Sequence, residues 1–294
     1  MCTTGAVVCR DDRGLPHVYG FKNSDSAPVG YWHGRTGGVE GFASLAYGLF
    51  PQLGVNAGMN EKGVALISSF FDYADPENEG ADGSRYWSGD LRGKAQGEAL
   101  AKARTASEAL AVMNDVFERE RELSIGGCHI IADPEGSLFV FEHSRGRVAV
   151  QDATNQRWVA RSNQAFCLFR EEQRTMSEDI AQDRNERLQS AEDTLRFLTE
   201  RDIQPPDARK ALRQLLSSHA YVDSQSHCDN GMAAADPVNR QGSICAHGIV
   251  RGRSNAAIPH VTMSGMIWEL SAGTMSYTLG QPCRSAWRKL SFDE

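Results

Sequence analysis

The residue best placed to do chemistry is Cys2, the second residue of the chain. Methionine is removed from a chain when the next residue is small, so the mature protein is expected to begin with a cysteine that carries a free α-amino group. An α-amino group titrates at about 7.7 to 8.0 and a free thiol at about 8.5, so the amine can accept the thiol proton near neutral pH. The resulting thiolate would attack amide carbonyls without a separate histidine. A buried structural cysteine is the alternative interpretation, because free cysteine is among the most buried residue types.

Two segments near the start of the chain give Cys2 a family context. Cys2-Thr3-Thr4 is followed by Lys22-Asn23-Ser24-Asp25. Together they resemble the opening of the N-terminal nucleophile amidohydrolases of the choloylglycine hydrolase, penicillin V acylase, acyl-CoA:penicillin acyltransferase and secernin groups. The resemblance implies that Asp25 accepts a hydrogen bond from the α-amino group of Cys2. A carboxylate there would orient the amine and tune its pKa.

Two further segments resemble elements that stabilise the oxyanion in these families. The block Gly58-Met59-Asn60-Glu61-Lys62-Gly63 leads into a strand whose end, at Phe70, is implied to line the active site. Arg161-Ser162-Asn163-Gln164 resembles the strand-end element whose asparagine donates its side-chain N–H to the oxyanion. The resemblance therefore predicts an oxyanion hole made by Asn163 and a backbone N–H near Phe70. Removal of one such donor typically costs about 10²–10³ in rate.

The families also place an arginine at the start of a later helix, close to the nucleophile. Asp183-Arg184-Asn185-Glu186-Arg187 is the best match, and it implies Arg184 as that arginine. Arg187 and Arg240 stay open as alternatives.

The substrate is expected to be a small-molecule amide or acyl compound whose identity is set by loops around the site. The segments 72–87 and 224–240 are the candidate loops. Tyr73 and Trp87 could pack an apolar or aromatic acyl group. Ser243-Ile244-Cys245-Ala246-His247 resembles a stretch of the penicillin acyltransferase group, which implies His247 as a pocket residue.

The elements that must position these residues alternate between strands and paired helices. Hairpins are predicted at 2–21, 56–71 and 128–142, helices at 105–121, 176–199 and 205–217, and further strands at 148–150, 158–160, 261–270 and 274–279. This order favours an α+β fold over a doubly wound sheet. The resemblance implies a four-layer αββα sandwich of two antiparallel sheets between helix layers, and we expect one domain over 1–294.

Composition limits the partners and the location. The net charge of −7 has no long single-sign run, which argues against nucleic acid and anionic membrane surfaces as partners. With no signal sequence and no run of about 18 apolar residues, we expect a cytoplasmic protein that spans no membrane. Seven irregularly spaced cysteines favour reduced thiols. A homo-oligomer stays open.

No cofactor and no metal are expected from the sequence. Ser226-His227-Cys228 and the pair Cys245 and His247 lie in one region, but neither has the Cys-x₂₋₄-Cys or His-x₃₋₅-His spacing of a zinc site. Gly126-Gly127-Cys128-His129 puts a cysteine and a histidine on opposite faces of a strand.

Three functions remain from the sequence. The first is an amidohydrolase that cleaves a linear C–N amide through a thioester on Cys2. The second is an acyltransferase that moves an acyl group from a thioester donor to an amine with the same residues. The third is a non-catalytic scaffold, which retention of Met1 would indicate.

Overall fold

The structure is a computed structural model, and it describes eleven segments of the chain. They are residues 2–26, 30–39, 41–50, 52–71, 91–120, 126–144, 146–168, 178–201, 203–219, 241–251 and 257–293, with only the backbone described for 249–251 and 257–260. The predicted pocket residues Tyr73 and Trp87, and the alternative arginine Arg240, lie outside the described residues.

The first sheet contains Cys2 and has seven antiparallel strands among the described residues, in the order β10-β1-β2-β12-β13-β14 with β11 also paired to β12. Its strands are β1 (Cys2–Arg10), β2 (Pro16–Asp25), β10 (Trp158–Arg161), β11 (His247–Arg251), β12 (Ala257–Glu269), β13 (Thr274–Thr278) and β14 (Trp287–Ser291). Strands from the two ends of the chain therefore pair at its centre.

The second sheet is an antiparallel meander in chain order. Its strands are β3 (Tyr31–Thr36), β4 (Ser44–Leu49), β5 (Ala57–Asn60), β6 (Ala65–Phe70), β7 (Gly127–Ala132), β8 (Leu138–Ser144) and β9 (Arg147–Asp152). The predicted hairpins at 56–71 and 128–142 are β5–β6 and β7–β8. β3 and β4 were not predicted.

The helices of the described residues form two pairs, one for each sheet. They are α1 (Leu91–Lys102), α2 (Ala106–Arg119), α3 (Glu178–Glu200) and α4 (Pro205–Leu216). Apolar side chains of α1 and α2 pack with those of the second sheet, and those of α3 and α4 with the first sheet. A third apolar cluster lies between the sheets. The predicted four-layer αββα fold is confirmed, and among the described residues no helix is long and apolar enough to cross a membrane.

The Gly58–Gly63 block has a clear structural role in the second sheet. The side chain of Asn60 accepts hydrogen bonds from the backbone N–H groups of Lys62 and Val64, each at 3.0 Å. Its Nδ2 donates to two carbonyls at the end of α1. Gly63 completes the turn at a φ of +81°, a left-handed conformation that favours glycine. The block therefore fixes the β5–β6 turn against α1 and sets where β6 ends.

The start of α2 is capped by side chains. Thr105 Oγ1 accepts from the backbone N–H of Glu108 at 3.1 Å, which satisfies an N–H group that a helix start otherwise leaves unpaired. The Glu108 carboxylate accepts from the backbone N–H of Arg104, the residue before the cap, at 2.7 Å.

Candidate active site

Cys2 lies at the first position of β1, in the middle of the first sheet. It pairs in register with Ser24 of β2, and two residues further along β1, Thr4 pairs with Arg161 of β10. Cys2 is buried, with 9% of its surface exposed. The end of β2, the residues that follow β10 and the start of β1 therefore meet around this cysteine.

Asn163, the predicted oxyanion residue, contacts the backbone of Cys2. Its Oδ1 accepts from the backbone nitrogen of Cys2 at 2.5 Å, and its Nδ2 donates to the carbonyl of Phe70 at 2.5 Å. Since an N–H must face an acceptor and a carbonyl must face a donor, these two bonds define the orientation of the carboxamide. Asn163 thereby joins the start of β1 to the end of β6 in the other sheet.

The arginine that contacts Cys2 is Arg187 of α3. Its Nη1 donates to the carbonyl of Cys2 at 2.8 Å and to Thr3 Oγ1 at 3.1 Å. Its Nε donates to Asp183 at 3.0 Å, and both side chains of this ion pair are fully buried. Arg184, the arginine favoured from the sequence, lies one turn earlier on α3 and is partly exposed. The structure therefore brings the alternative, Arg187, into contact with Cys2.

Lys22 is a residue of this site that was not singled out from the sequence. It is 1% exposed, and its ammonium group donates to the carbonyl of Ser68. Burial lowers the pKa of Lys22, whereas a hydrogen bond with the thiol of Cys2 and the nearby carboxylate of Asp25 act to raise it. The sequence feature that could have identified Lys22 was its position in the Lys22-Asn23-Ser24-Asp25 segment. The amine of Lys22 thus lies directly beside the thiol of Cys2, and the net effect of its surroundings is a pKa below the ordinary value for lysine.

Asp25 lies at the end of β2 and is 4% exposed. Thr262 of β12 donates its hydroxyl to Asp25 Oδ1 at 2.6 Å, and the same hydroxyl accepts from the backbone N–H of Ala246 at 2.9 Å. The carboxylate is close enough to Lys22 to influence its pKa. The backbone nitrogen of Cys2 bonds to Asn163, so orientation of the α-amine by Asp25 stays a prediction.

The remaining predicted pocket residues have different surroundings. The ring of Phe70 lies under the guanidinium of Arg92, 4.7 Å from its carbon to the ring centroid. His247 is half-buried, with its Nε2 3.0 Å from the sulfur of Cys283 and 3.6 Å from that of Cys245. Substrate binding by Phe70 and His247 stays a prediction, as it does for Tyr73 and Trp87 outside the described residues.

Comparison with known proteins gives similarity in structure and none in sequence. No family model and no curated protein matches the sequence. Penicillin V acylase from Agrobacterium tumefaciens is similar over 99% of this chain and 86% of its own, with a TM-score of 0.54 and 11% identity. The N-acylethanolamine-hydrolyzing acid amidase ortholog of Caenorhabditis elegans is similar over 92% and 93%, with a TM-score of 0.51 and 13% identity. At these identities the likeness is one of fold, and the chain has the N-terminal nucleophile hydrolase fold that its opening segments predict.

Proposed function

We propose that this protein is an N-terminal cysteine amidohydrolase that cleaves a linear amide bond of an N-acyl small molecule. The observation that carries the proposal is the environment of Cys2. Its nitrogen is held by Asn163, its carbonyl by Arg187, and its thiol lies beside Lys22. Both structural neighbours are named for hydrolysis or acylase activity on amides, which supports this reaction class.

The chemistry begins once the residue before Cys2 has been removed. The backbone nitrogen of Cys2 then becomes an α-amine, and Asn163 Oδ1 accepts one of its hydrogens. This bond, together with the orienting role assigned to Asp25, directs the nitrogen lone pair toward the thiol, so the amine takes the thiol proton. The thiolate attacks the amide carbonyl, and the leaving amine takes the proton back from the α-ammonium as the thioester forms. Water activated by the α-amine then cleaves the thioester, which releases the acid and restores the thiol.

Charge in this reaction is stabilised by groups already in place. The ammonium group of Lys22 would stabilise the thiolate before attack. Asn163 Nδ2 uses one hydrogen for the carbonyl of Phe70 and carries a second, which we assign to the oxyanion together with a backbone N–H near Phe70. Arg187 keeps the backbone of Cys2 in position, and Asp25 is assigned to the orientation of the α-amine. Groups that are fixed before the reaction stabilise charge without reorganising.

The proposal is tested with a panel of N-acyl amides scored for release of the amine. The panel includes penicillin V and an N-acylethanolamine, after the names of the two structural neighbours. We expect amine release with at least one amide, and an acyl adduct on the first residue in intact-mass spectra of protein quenched during turnover.

Matched variants assign the activity to the nucleophile. Cys2→Ala should abolish amine release and the adduct, whereas Cys167→Ala, at an exposed cysteine, should keep both. Amine release that survives in Cys2→Ala would contradict the proposal. Transfer of the acyl group to an added amine, with no free acid formed, would replace hydrolysis by acyl transfer.

A further inference from the structure

Four side chains with metal-binding atoms converge beside the candidate active site. The set, named here the Cys/His cluster, consists of His219, Cys245, His247 and Cys283. One ring nitrogen from each histidine and both sulfurs all lie within 4.8 Å of one another. Its members come from separate parts of the chain, namely the segment after α4, the start of β11 and the segment between β13 and β14.

The spacing of these atoms fits a tetrahedral ion. Zinc binds sulfur at about 2.3 Å and imidazole nitrogen at about 2.0–2.1 Å, so the edges of a Cys₂His₂ tetrahedron are about 3.3–3.8 Å long. The distance of 3.6 Å from Cys245 Sγ to His247 Nε2 falls in that range, and that of 3.0 Å to Cys283 Sγ is somewhat shorter. Small side-chain movements would therefore complete the geometry.

The ring of His247 presents Nε2, not Nδ1, to the two sulfurs. The Nδ1 atoms of His219 and His247 are buried, and neither has a hydrogen-bond partner among the described residues. An ion bound at Nε2 of His247 would leave Nδ1 of that ring unchanged, so the convergence of the four ligand atoms is the observation that supports the ion.

We propose that the Cys/His cluster binds one Zn²⁺ ion as a structural site. Two thiolates and two imidazoles in a tetrahedral arrangement are the ligand set of structural zinc, and four protein ligands leave no open position for a substrate. This assigns His247 to a metal ion and not to the substrate. The spacing patterns used in the sequence analysis argued against zinc because they consider only ligands that lie close together in the chain. His219 and Cys283, which complete this set, are distant in sequence from Cys245 and His247.

The location of the site gives the ion a clear effect on the structure. The backbone N–H of Ala246, between Cys245 and His247, donates to the Thr262 hydroxyl that in turn donates to Asp25. A bound ion would fix the start of β11 to the segments that carry His219 and Cys283. It would thereby hold the Thr262 hydroxyl against Asp25 without taking part in the reaction.

The experiment uses the full chain, stripped of metal with a chelator and kept in a phosphine reductant. Zn²⁺ is titrated against a chromophoric chelator, Co²⁺ is used as a spectroscopic probe, and the melting temperature is followed with and without Zn²⁺. We expect one Zn²⁺ per chain, sulfur-to-cobalt charge-transfer bands with the intense visible bands of tetrahedral Co²⁺, and a melting temperature that rises with Zn²⁺.

Variants locate the ion. Cys283→Ser and His219→Ala should each weaken Zn²⁺ binding by more than about 100-fold, since loss of even a supporting residue costs 10–100-fold. Cys167→Ser and His17→Ala are the matched controls outside the cluster and should bind as the wild type does. Substoichiometric binding by the wild type, or unchanged binding by Cys283→Ser, would overturn the proposal. Cys2→Ala should still bind Zn²⁺. Loss of Zn²⁺ binding in Cys2→Ala would place the ion at Cys2 and would overturn the zinc proposal, whether or not the amidohydrolase proposal holds.

Discussion

At the scale of single residues, the backbone of Cys2 is held on two sides, by Asn163 at its nitrogen and by Arg187 at its carbonyl. The resemblance singled out Asn163 through a short strand-end motif, and its oxyanion role stays a prediction. The sequence favoured Arg184 over Arg187, which lies three residues later on the same charged helix. The packing of α3 against β1 and β10 determines which of the two faces Cys2.

The roles of Arg184 and Arg187 can be separated by matched substitutions. Arg187→Lys keeps the charge but loses the planar fork that reaches Cys2, Thr3 and Asp183, so we expect kcat/KM to fall by about 10², the cost of a misplaced reacting group. Arg184→Lys should leave kcat/KM nearly unchanged. A loss confined to Arg184→Lys would restore the assignment made from the sequence.

Removal of the Arg187 side chain should also destabilise the fold. Arg187→Ala leaves the carboxylate of Asp183 buried without its cation, and breaking a buried ion pair costs about 3–5 kcal/mol. The free energy of unfolding in urea measures this loss. A cost below about 1 kcal/mol, the value of an exposed pair, would show that Asp183 is solvated in solution.

Substitution of Asp25 tests whether this buried carboxylate takes part in the reaction. Asp25→Asn keeps the size of the side chain and an oxygen that can accept from Thr262, but it loses the negative charge beside Lys22. We expect kcat/KM to fall by about 10²–10⁴ while the melting temperature barely moves. Asp193→Asn, on the exposed face of α3, is the control. Wild-type activity in a well-folded Asp25→Asn variant would leave Asp25 with a structural role alone.

At the scale of elements, the strands and helices with a strong local sequence pattern were predicted, and those without one were not. The β1–β2, β5–β6 and β7–β8 hairpins carry turn residues between apolar runs. Helix α1 was missed because Gly93 and Gly97 weaken its helical pattern, and its buried face includes Arg92 and Gln96. β4 is buried along its whole length and has no polar alternation. Tertiary packing determines such elements, and a single sequence does not display it.

The contact between β3 and β12 predicts a fold that loses stability in acid. His33 of β3 bonds to Ser264 of β12 at 2.9 Å and stacks on Tyr277, with ring centroids 4.3 Å apart. Burial lowers the pKa of His33 to about 4 from its ordinary 6.5. Between these values the unfolded chain binds a proton that the folded chain does not, so stability falls as the pH falls from 6.5 to 4.

The acid effect is measured as the free energy of unfolding at several pH values. His33 should contribute a loss of up to about 3 kcal/mol across this window. His33→Phe keeps the aromatic stack, and its free energy of unfolding should fall by that much less across the same pH window. Equal slopes for the wild type and His33→Phe would show that His33 is protonated in the folded protein.

At the scale of the whole molecule, the candidate site draws on three of the four layers. Cys2, Lys22 and Asn163 come from the first sheet and the segment after it, Phe70 comes from the second sheet, and Arg187 comes from a helix of the outer layer. The order of strands and paired helices in the sequence favoured an α+β fold, and the family resemblance implied these four layers. The contacts across them depend on how the layers are aligned, which is why Lys22 and the Cys/His cluster emerged only from the structure.

The central claim is that Cys2 is the N-terminal nucleophile, and the most direct measurement is mass spectrometry of the purified protein during inactivation by a thiol alkylator. We predict a mature chain that lacks Met1, and a loss of activity that follows one adduct on its first residue. Cys167 and Cys283 are exposed and can also react, so peptide mapping must show which adduct follows the loss. Retention of Met1 in fully active protein, or inactivation that follows an adduct on Cys128 or Cys245 while Cys2 stays unmodified, would contradict the account.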